Sequence, residues 1–148
     1  MTAAPDDSAA RYLVLQRKGT LFPAIATAAY QLVHSPVWRG RRPVDPAPLL
    51  ATLEDAAVQV AFFSGQELNA TLERLVAAGH EFAAGAQAIQ ARSRPSFGGA
   101  VEEPARAEDD AARRALDRAI TAFVQAARAD LGIEEPWLSI HPIPDVRS

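Results

Sequence analysis

Three histidines are the residues of this chain best suited to bind a metal ion: His34, His80 and His141. Helical metal sites usually take their ligands from one face, at spacings such as His-x-x-x-His or Glu-x-x-His. Neither spacing occurs here, and the adjacent His80 and Glu81 would project about 100° apart on a helix. The chain also has no cysteine to supply a thiolate. The sequence therefore predicts no metal site.

Paired carboxylates are the next candidates for chemistry, and they occur at 102–103, 109–110 and 134–135. All three pairs lie in polar, proline-flanked or helix-start positions, whereas a catalytic carboxyl group needs burial to shift its pKa. Gly98 and Gly99 lack the lysine and serine of a phosphate-binding loop. Ser64 is better explained as a helix cap than as a nucleophile. We therefore predict a non-enzymatic protein that has no catalytic residue and no cofactor.

A tryptophan followed by clustered arginines is the most distinctive local feature of the chain: Trp38, Arg39, Arg41 and Arg42. Arginine next to tryptophan suits recognition of an anion or a protein. The alternative, which we favour, is that Trp38 packs against the end of a bundle while the arginines stay solvated. If the protein has an interaction surface, we expect it at this cluster and around Trp137 in the C-terminal tail.

The elements that must position these residues are organised around the segment 64–92. Small or apolar residues recur along it in four-three alternation, at Leu68, Leu72, Leu75, Gly79, Phe82, Ala86 and Ile89. This spacing predicts a heptad-type seam on one face of a long helix. Because such a seam must be buried, the chain has to supply partner helices.

A similar three-four spacing of apolar and small residues predicts a first helix from about Ser8 to His34. A second row of apolar residues lies beside the first and widens the face expected to be buried. The first row is Tyr12, Leu15, Gly19, Phe22, Ala26, Ala29 and Val33, and the second is Val14, Leu21, Ile25, Ala28 and Leu32. Pro23 removes one backbone hydrogen bond, so we expect a kink there, with a break near Thr20 as the alternative.

The second helix is predicted to begin after Asp45 and Pro46, which form a helix-start signal. The helical spacing of apolar residues is interrupted at Ser64 and starts again after it. Ser64 and Glu67 have the spacing of a capping box, which marks the start of a helix. We therefore expect two segments joined by a tight kink, the second of which runs to about Arg92.

The last helix is predicted to start near 103–108 and to end at Leu131 and Gly132. The apolar seam of this helix is predicted to be Ala112, Leu116, Ala119 or Ile120, Phe123, Ala127 and Leu131. Its arginines are expected to be charged residues on the outer face of the helix: Arg113, Arg114, Arg118 and Arg128. Residues 1–7 and about 93–103 are expected to be mobile. The predicted fold is a single all-α domain over residues 1–148, an antiparallel bundle of three long helices in which the second, and possibly the first, is kinked.

Composition narrows the class of protein further. The formal net charge of −3 argues against a general nucleic-acid binder. The N-terminal residues lack the pattern of a secretory signal, and the most apolar run, residues 20–33, is shorter than the roughly 20 residues of a membrane span. We therefore expect a cytoplasmic protein that has no membrane span.

Two stretches resemble a group of uncharacterised bacterial proteins built as coiled-coil-like helical hairpins. One is FVQAARADLGI at 123–133, with its Ala-Ala-Arg-x-Asp-Leu-Gly signature, and the other is the break FSGQEL at 63–68. The resemblance implies a helical hairpin whose second helix is interrupted. It implies no activity and no catalytic residue.

Two functional hypotheses follow. The first is a helical bundle that acts through protein–protein contacts, as a homo-oligomer or an adaptor, with a homodimer favoured over a monomer because the apolar rows could pair across a two-fold axis. The alternative is a ligand-sensing bundle with an apolar pocket between kinked helices near Pro23, lined by Phe22, Phe62 and Phe63.

Overall fold

Four helices make up most of the computed structural model, which describes residues 5–35, 45–92 and 103–139. They are α1 (Pro5–His34), α2 (Ala47–Ala61), α3 (Gln66–Arg92) and α4 (Glu103–Asp130). These ranges contain no strand, so the predicted all-α fold is confirmed, but the predicted count of three long helices is wrong. The segments predicted to be mobile lie outside the described residues, except that α1 begins at Pro5 and α4 at Glu103.

The extra helix arises at the predicted kink in the second helix, where the chain turns back instead of bending. α2 ends in short-range bonds, from Phe63 N to Val60 O at 2.9 Å and from Phe62 N to Gln59 O at 3.3 Å. The hydroxyl of Ser64 donates to Val60 O (2.8 Å), so it bonds the end of α2 rather than the first N–H groups of α3 as a capping box would. The interruption therefore separates two helices that pack side by side.

α1 runs through Pro23 without a break. The proline leaves the carbonyl of Gly19 without its usual donor four residues on. The helix nevertheless continues to His34, so the alternative of a break near Thr20 is wrong.

The α3 seam forms the centre of the core, as predicted. All its members are buried, and Leu75 and Phe82 are almost completely inaccessible: Leu68, Leu72, Leu75, Gly79, Phe82, Ala86 and Ile89. At Gly79 the three helices α1, α2 and α3 approach closely, since a Cβ there would lie 3.3–3.5 Å from the methyl groups of Leu50, Leu53 and Leu32. The seam therefore packs against other helices rather than against solvent.

Neighbouring helices in the bundle run antiparallel, as contacts at their two ends show. Lys18 Nζ lies 2.7 Å from Asp130 Oδ2, while Arg113 near the other end of α4 binds the backbone of Val33. The guanidinium group of Arg17 contacts Gln59 Oε1 and so places the first half of α1 beside the end of α2. Residues before Arg17 therefore extend beyond the end of α2.

This extension contradicts the expected burial of the whole first-helix row. Ten of the twelve residues in 8–19 are exposed, including Tyr12 (62 %), Leu13 (63 %) and Leu15 (52 %). Burial begins at Leu21 and Phe22 and continues to Val33. The physical reason is that α2 ends beside Arg17 and α4 ends beside Lys18, so the apolar row before these residues has no neighbouring helix. We call residues 8–19 the α1 arm.

Arg113 is a structural residue and not the outer-face charge that the sequence suggested. Its Nε donates to Asp109 Oδ2 at 2.8 Å, one terminal nitrogen donates to Ser35 O at 3.0 Å, and the other donates to Val33 O. The guanidinium carbon also lies 5.0 Å from the ring centroid of Phe82. The last carbonyls of a helix lack hydrogen-bond donors within that helix. Arg113 of α4 supplies donors to them and so caps the C-terminus of α1.

Candidate functional site

A solvent-open groove lies between α1 and α4. Its volume is about 520 Å³, and its walls are almost entirely apolar. Along its base the rings of Phe22 and Phe123 meet edge to face, with centroids 6.1 Å apart and planes at 89°. The groove residues are Gly19, Phe22, Pro23, Ala26, Thr27, Tyr30, Gln31, Phe123, Val124, Ala127, Arg128, Leu131 and Trp137.

The two helices present this groove because of their helical periods. Phe22 and Ala26 are one turn apart on α1, and Phe123 and Ala127 are one turn apart on α4, so each pair lies on the face that meets the other helix. The small side chains of Ala26 and Ala127 fill less space than their bulky neighbours. Pro23 is exposed beside them, so the groove stays open where two larger side chains would close it.

Trp137 forms one end of the groove, where the chain folds back after α4. Its indole Nε1 donates to the hydroxyl of Tyr30 at 3.2 Å, and the guanidinium carbon of Arg128 lies 5.5 Å from its ring centroid. The return is made at Gly132, whose φ of +83° is a conformation that suits glycine. Trp137 therefore links a hydroxyl group of α1 to a guanidinium group of α4, and a few polar groups in a mainly apolar site can orient a ligand.

The structure brings together only part of the set of residues predicted to form a site. Phe22 and Trp137 lie in the groove, next to Pro23. Phe62 and Phe63 lie at the turn between α2 and α3, where Phe62 is 83 % exposed, and neither lines the groove. The arginine cluster, Trp38, Arg39, Arg41 and Arg42, lies outside the described residues.

The residues that the sequence did not indicate come from α4. Phe123 and Ala127 were assigned to an internal seam and Val124 was not assigned to any face, yet all three side chains line an open groove. Their seven-residue continuation, Leu131, is only partly buried. A pattern of apolar residues does not distinguish a face that is fully covered from one that is covered along one edge.

Asp117 lies on the same row of α4 as Val124 and Leu131, one heptad before the groove. Burial raises the pKa of its carboxyl group, and the nearby charges of His34 and Arg118 lower the pKa only in part. The Oδ1 atom is inaccessible to solvent and has no hydrogen-bond partner among the described residues. Asp117 is therefore an underpartnered carboxylate at the His34 end of the groove.

Replacing Asp117 by asparagine should stabilise the isolated chain at neutral pH. Because the folded state raises the pKa, ionisation costs stability above that pKa, and the cost disappears below pH 3.8, where both states are protonated. We expect Asp117→Asn to raise Tm by about 1–2 °C at pH 7 in dilute solution, a small effect because the residue is partly solvated. An equal rise at pH 3 and pH 7, measured by circular dichroism, would contradict this explanation.

Among the described residues, no group of three or more histidines, aspartates or glutamates is placed to hold a metal ion. His80 contacts Glu54 Oε1 on the surface, away from the groove, where both side chains are about half exposed. No helix in the described ranges is long and apolar enough to cross a bilayer. What the groove offers is apolar surface with a few hydrogen-bonding groups.

No protein-family model, curated protein or solved structure matches this chain. The resemblance to helical-hairpin proteins therefore stays a prediction.

Proposed function

We propose that the protein is a non-enzymatic helical bundle that acts through protein–protein contacts, and that the α1–α4 groove receives an apolar helix of its partner. The observation that carries this proposal is the open apolar groove around Phe22, Phe123 and Trp137. Contiguous apolar surface on a folded protein commonly marks an interaction site. The exposed apolar side chains of the α1 arm provide a second surface of the same kind.

A helix is the partner that best fits the dimensions of the groove. Along α1 the groove extends from Gly19 to Gln31, and these twelve steps of 1.5 Å span about 18 Å, or roughly three helical turns. Helix-in-groove recognition places apolar side chains at intervals of three and four residues into such a surface. The hydroxyl of Tyr30 and the guanidinium group of Arg128 can then bind polar groups of the incoming helix.

A photo-crosslinker placed in the groove tests this proposal directly. The chain has no cysteine, so Thr27→Cys gives a single attachment site for a benzophenone reagent on an exposed groove residue. The matched control is Glu81→Cys, on the exposed face of α3. In cells that naturally produce the protein, we expect the Thr27 reagent to cross-link to an identifiable apolar helix, either of another protein or of a second copy.

The cross-linked segment is identified by peptide mass spectrometry, and only a segment with apolar residues at helical spacing supports the proposal. Cross-linking that is equally strong from Glu81, or absent from Thr27, would overturn it. The prediction that the arginine cluster at 38–42 contributes to the contact can be examined in the same experiment with Arg41→Ala, which should lower the yield.

An apolar small molecule is the second candidate occupant, because a volume of about 520 Å³ lies within the roughly 300–1,000 Å³ of ligand pockets. Native mass spectrometry of the purified protein tests it, with Trp137→Ala as the variant that opens one end of the groove. A bound mass that the variant loses would favour the ligand-sensing function. Recovery of the unliganded mass alone would favour the protein-contact function.

A further inference from the structure

The α1 arm and the α1–α4 groove lie on one continuous row of α1. Tyr12, Leu15 and Gly19 follow the same three-four spacing as Phe22 and Ala26, so all five share one helix face. The first two are exposed, Gly19 is at the boundary, and the last two line the groove. The exposed apolar row of α1 is therefore followed along the same helix face by residues that form one wall of the apolar groove.

We propose that the α1 arm lies in the α1–α4 groove of a second copy of the chain, and that the groove of the first copy receives the arm of the second in return. This inference names the partner for the proposed groove contact and rests on that function. In an antiparallel pair of α1 helices related by a two-fold axis at Gly19, Leu15 lies opposite Pro23 and Tyr12 lies opposite Ala26. Each bulky side chain of the arm thus meets a small or flat residue of the partner's groove.

Gly19 is suited to the position on the axis. A Cβ built there meets no atom within 4 Å among the described residues outside the nearby backbone of α1, so none of them occupies the space on that side. Where two helices cross, a glycine allows the backbones to approach more closely than a larger residue would. The lengths also agree, since the arm of twelve residues spans about 17 Å and the groove along α1 spans about 18 Å.

Charge complementarity favours a second copy over an unrelated apolar helix. Arg11 is exposed on the arm, and in this pairing it lies opposite Thr27 with its side chain tilted toward the N-terminus of its own helix. That direction leads past the partner's Tyr30 toward the carboxyl group of Asp117, whose charge His34 and Arg118 balance only in part. The basic group of the arm thus approaches the underpartnered carboxylate at the end of the groove.

The area of such a contact is sufficient for a specific dimer. Specific interfaces bury at least roughly 1,200 Å² of surface in total. The two-fold axis produces two identical arm–groove contacts, and each contact has an arm surface and a groove surface. Burial of about 300 Å² on each of these four surfaces therefore reaches the required total. An aromatic side chain alone buries roughly 150–250 Å². Tyr12 and Leu15 are each more than half exposed and lie on the row that faces the groove, so they can supply most of this area.

Leu15→Glu is the first test, because Leu15 is exposed and central in the arm. The matched control is Val58→Glu, which introduces the same charge at an exposed apolar residue of α2, outside the groove. By sedimentation equilibrium we expect a dimer for the native chain and for Val58→Glu. Leu15→Glu should raise the dissociation constant roughly hundredfold, because two unpaired carboxylates would be buried. Circular dichroism verifies that both variants remain folded.

Gly19→Cys is the second test and does not depend on disrupting the dimer. Residues on the two-fold axis lie close enough for a disulfide, so mild oxidation of Gly19→Cys should give a covalent dimer, while Val58→Cys should not. A dimer that resists Leu15→Glu and does not cross-link at Gly19 would overturn the inference. A native chain that stays monomeric at high concentration would overturn it too, and continued cross-linking from Thr27 to another protein would then leave the proposed groove function standing.

Discussion

Replacing Phe82 by alanine should reduce the free energy of unfolding by about 4 kcal/mol, since truncation of a buried phenylalanine typically costs 3–5 kcal/mol. Phe82 is only 1 % exposed and lies in the middle of the α3 seam. Its ring also packs under the guanidinium group of Arg113, so the variant loses a cation–π contact in addition to buried apolar area. Urea denaturation followed by circular dichroism measures the change.

Phe62→Ala is the matched control, because it removes the same atoms from a ring that is 83 % exposed. We expect its free energy of unfolding to lie within about 0.5 kcal/mol of the native value. If the two variants lost similar stability, the α3 seam would not be the centre of the core, and the arrangement of all four helices would need revision.

Replacing Arg113 by methionine should cost about 3 kcal/mol or more. Arg113 is 14 % exposed and its partner Asp109 is 2 % exposed, so the substitution leaves a buried carboxylate without its counter-ion. Removal of one member of a buried ion pair usually costs 3–5 kcal/mol. The variant also leaves the carbonyls of Val33 and Ser35 without a donor, so the end of α1 should show faster amide hydrogen exchange.

Arg74→Met serves as the control, since Arg74 is exposed on α3, and it should change stability by less than about 0.5 kcal/mol. Combining Asp109→Asn with Arg113→Met should recover part of the loss, because the buried charge is then removed as well. A double variant less stable than Arg113→Met would show that the unpaired carboxylate is not the main cost.

The sequence predicted the long helices well because their signals are local. The α3 row repeats at heptad spacing without interruption, and the end of α4 carries a glycine that the structure places at φ +83°. Asp45 was also predicted as a helix-start residue, and its carboxylate accepts the N–H of Ala47 at 3.0 Å. Each of these features depends on residues within one or two turns of each other.

The sequence could not predict which parts of a row would be covered. Tyr12 and Leu15 continue the pattern of Phe22 and Ala29 without any change, yet the first pair is exposed and the second is buried. The difference arises because α2 is only 15 residues long and turns back at Phe62. Burial of one helix depends on the lengths of its neighbours, and this information lies elsewhere in the chain.

The role of Arg113 escaped prediction for a related reason. Its spacing of four residues from Asp109 indicates an ion pair on one helix, and that pair is present. The hydrogen bonds to Val33 and Ser35 join residues about 80 positions apart, and only the antiparallel packing of α1 and α4 brings them together. The groove has the same origin, since one wall comes from each of these two helices.

The shared α1 interface is tested most directly by distances between spin labels on the two copies, measured by pulsed electron paramagnetic resonance. Single labels at Ala10→Cys and Gln16→Cys are selective because the chain contains no other cysteine. With a two-fold axis at Gly19, the axial separation grows by about 3 Å per residue from that position, giving about 27 Å for Ala10 and about 9 Å for Gln16. A longer distance between the Ala10 labels is the predicted result. Equal distances, or no dipolar coupling in either sample, would contradict an antiparallel α1 pair centred on Gly19.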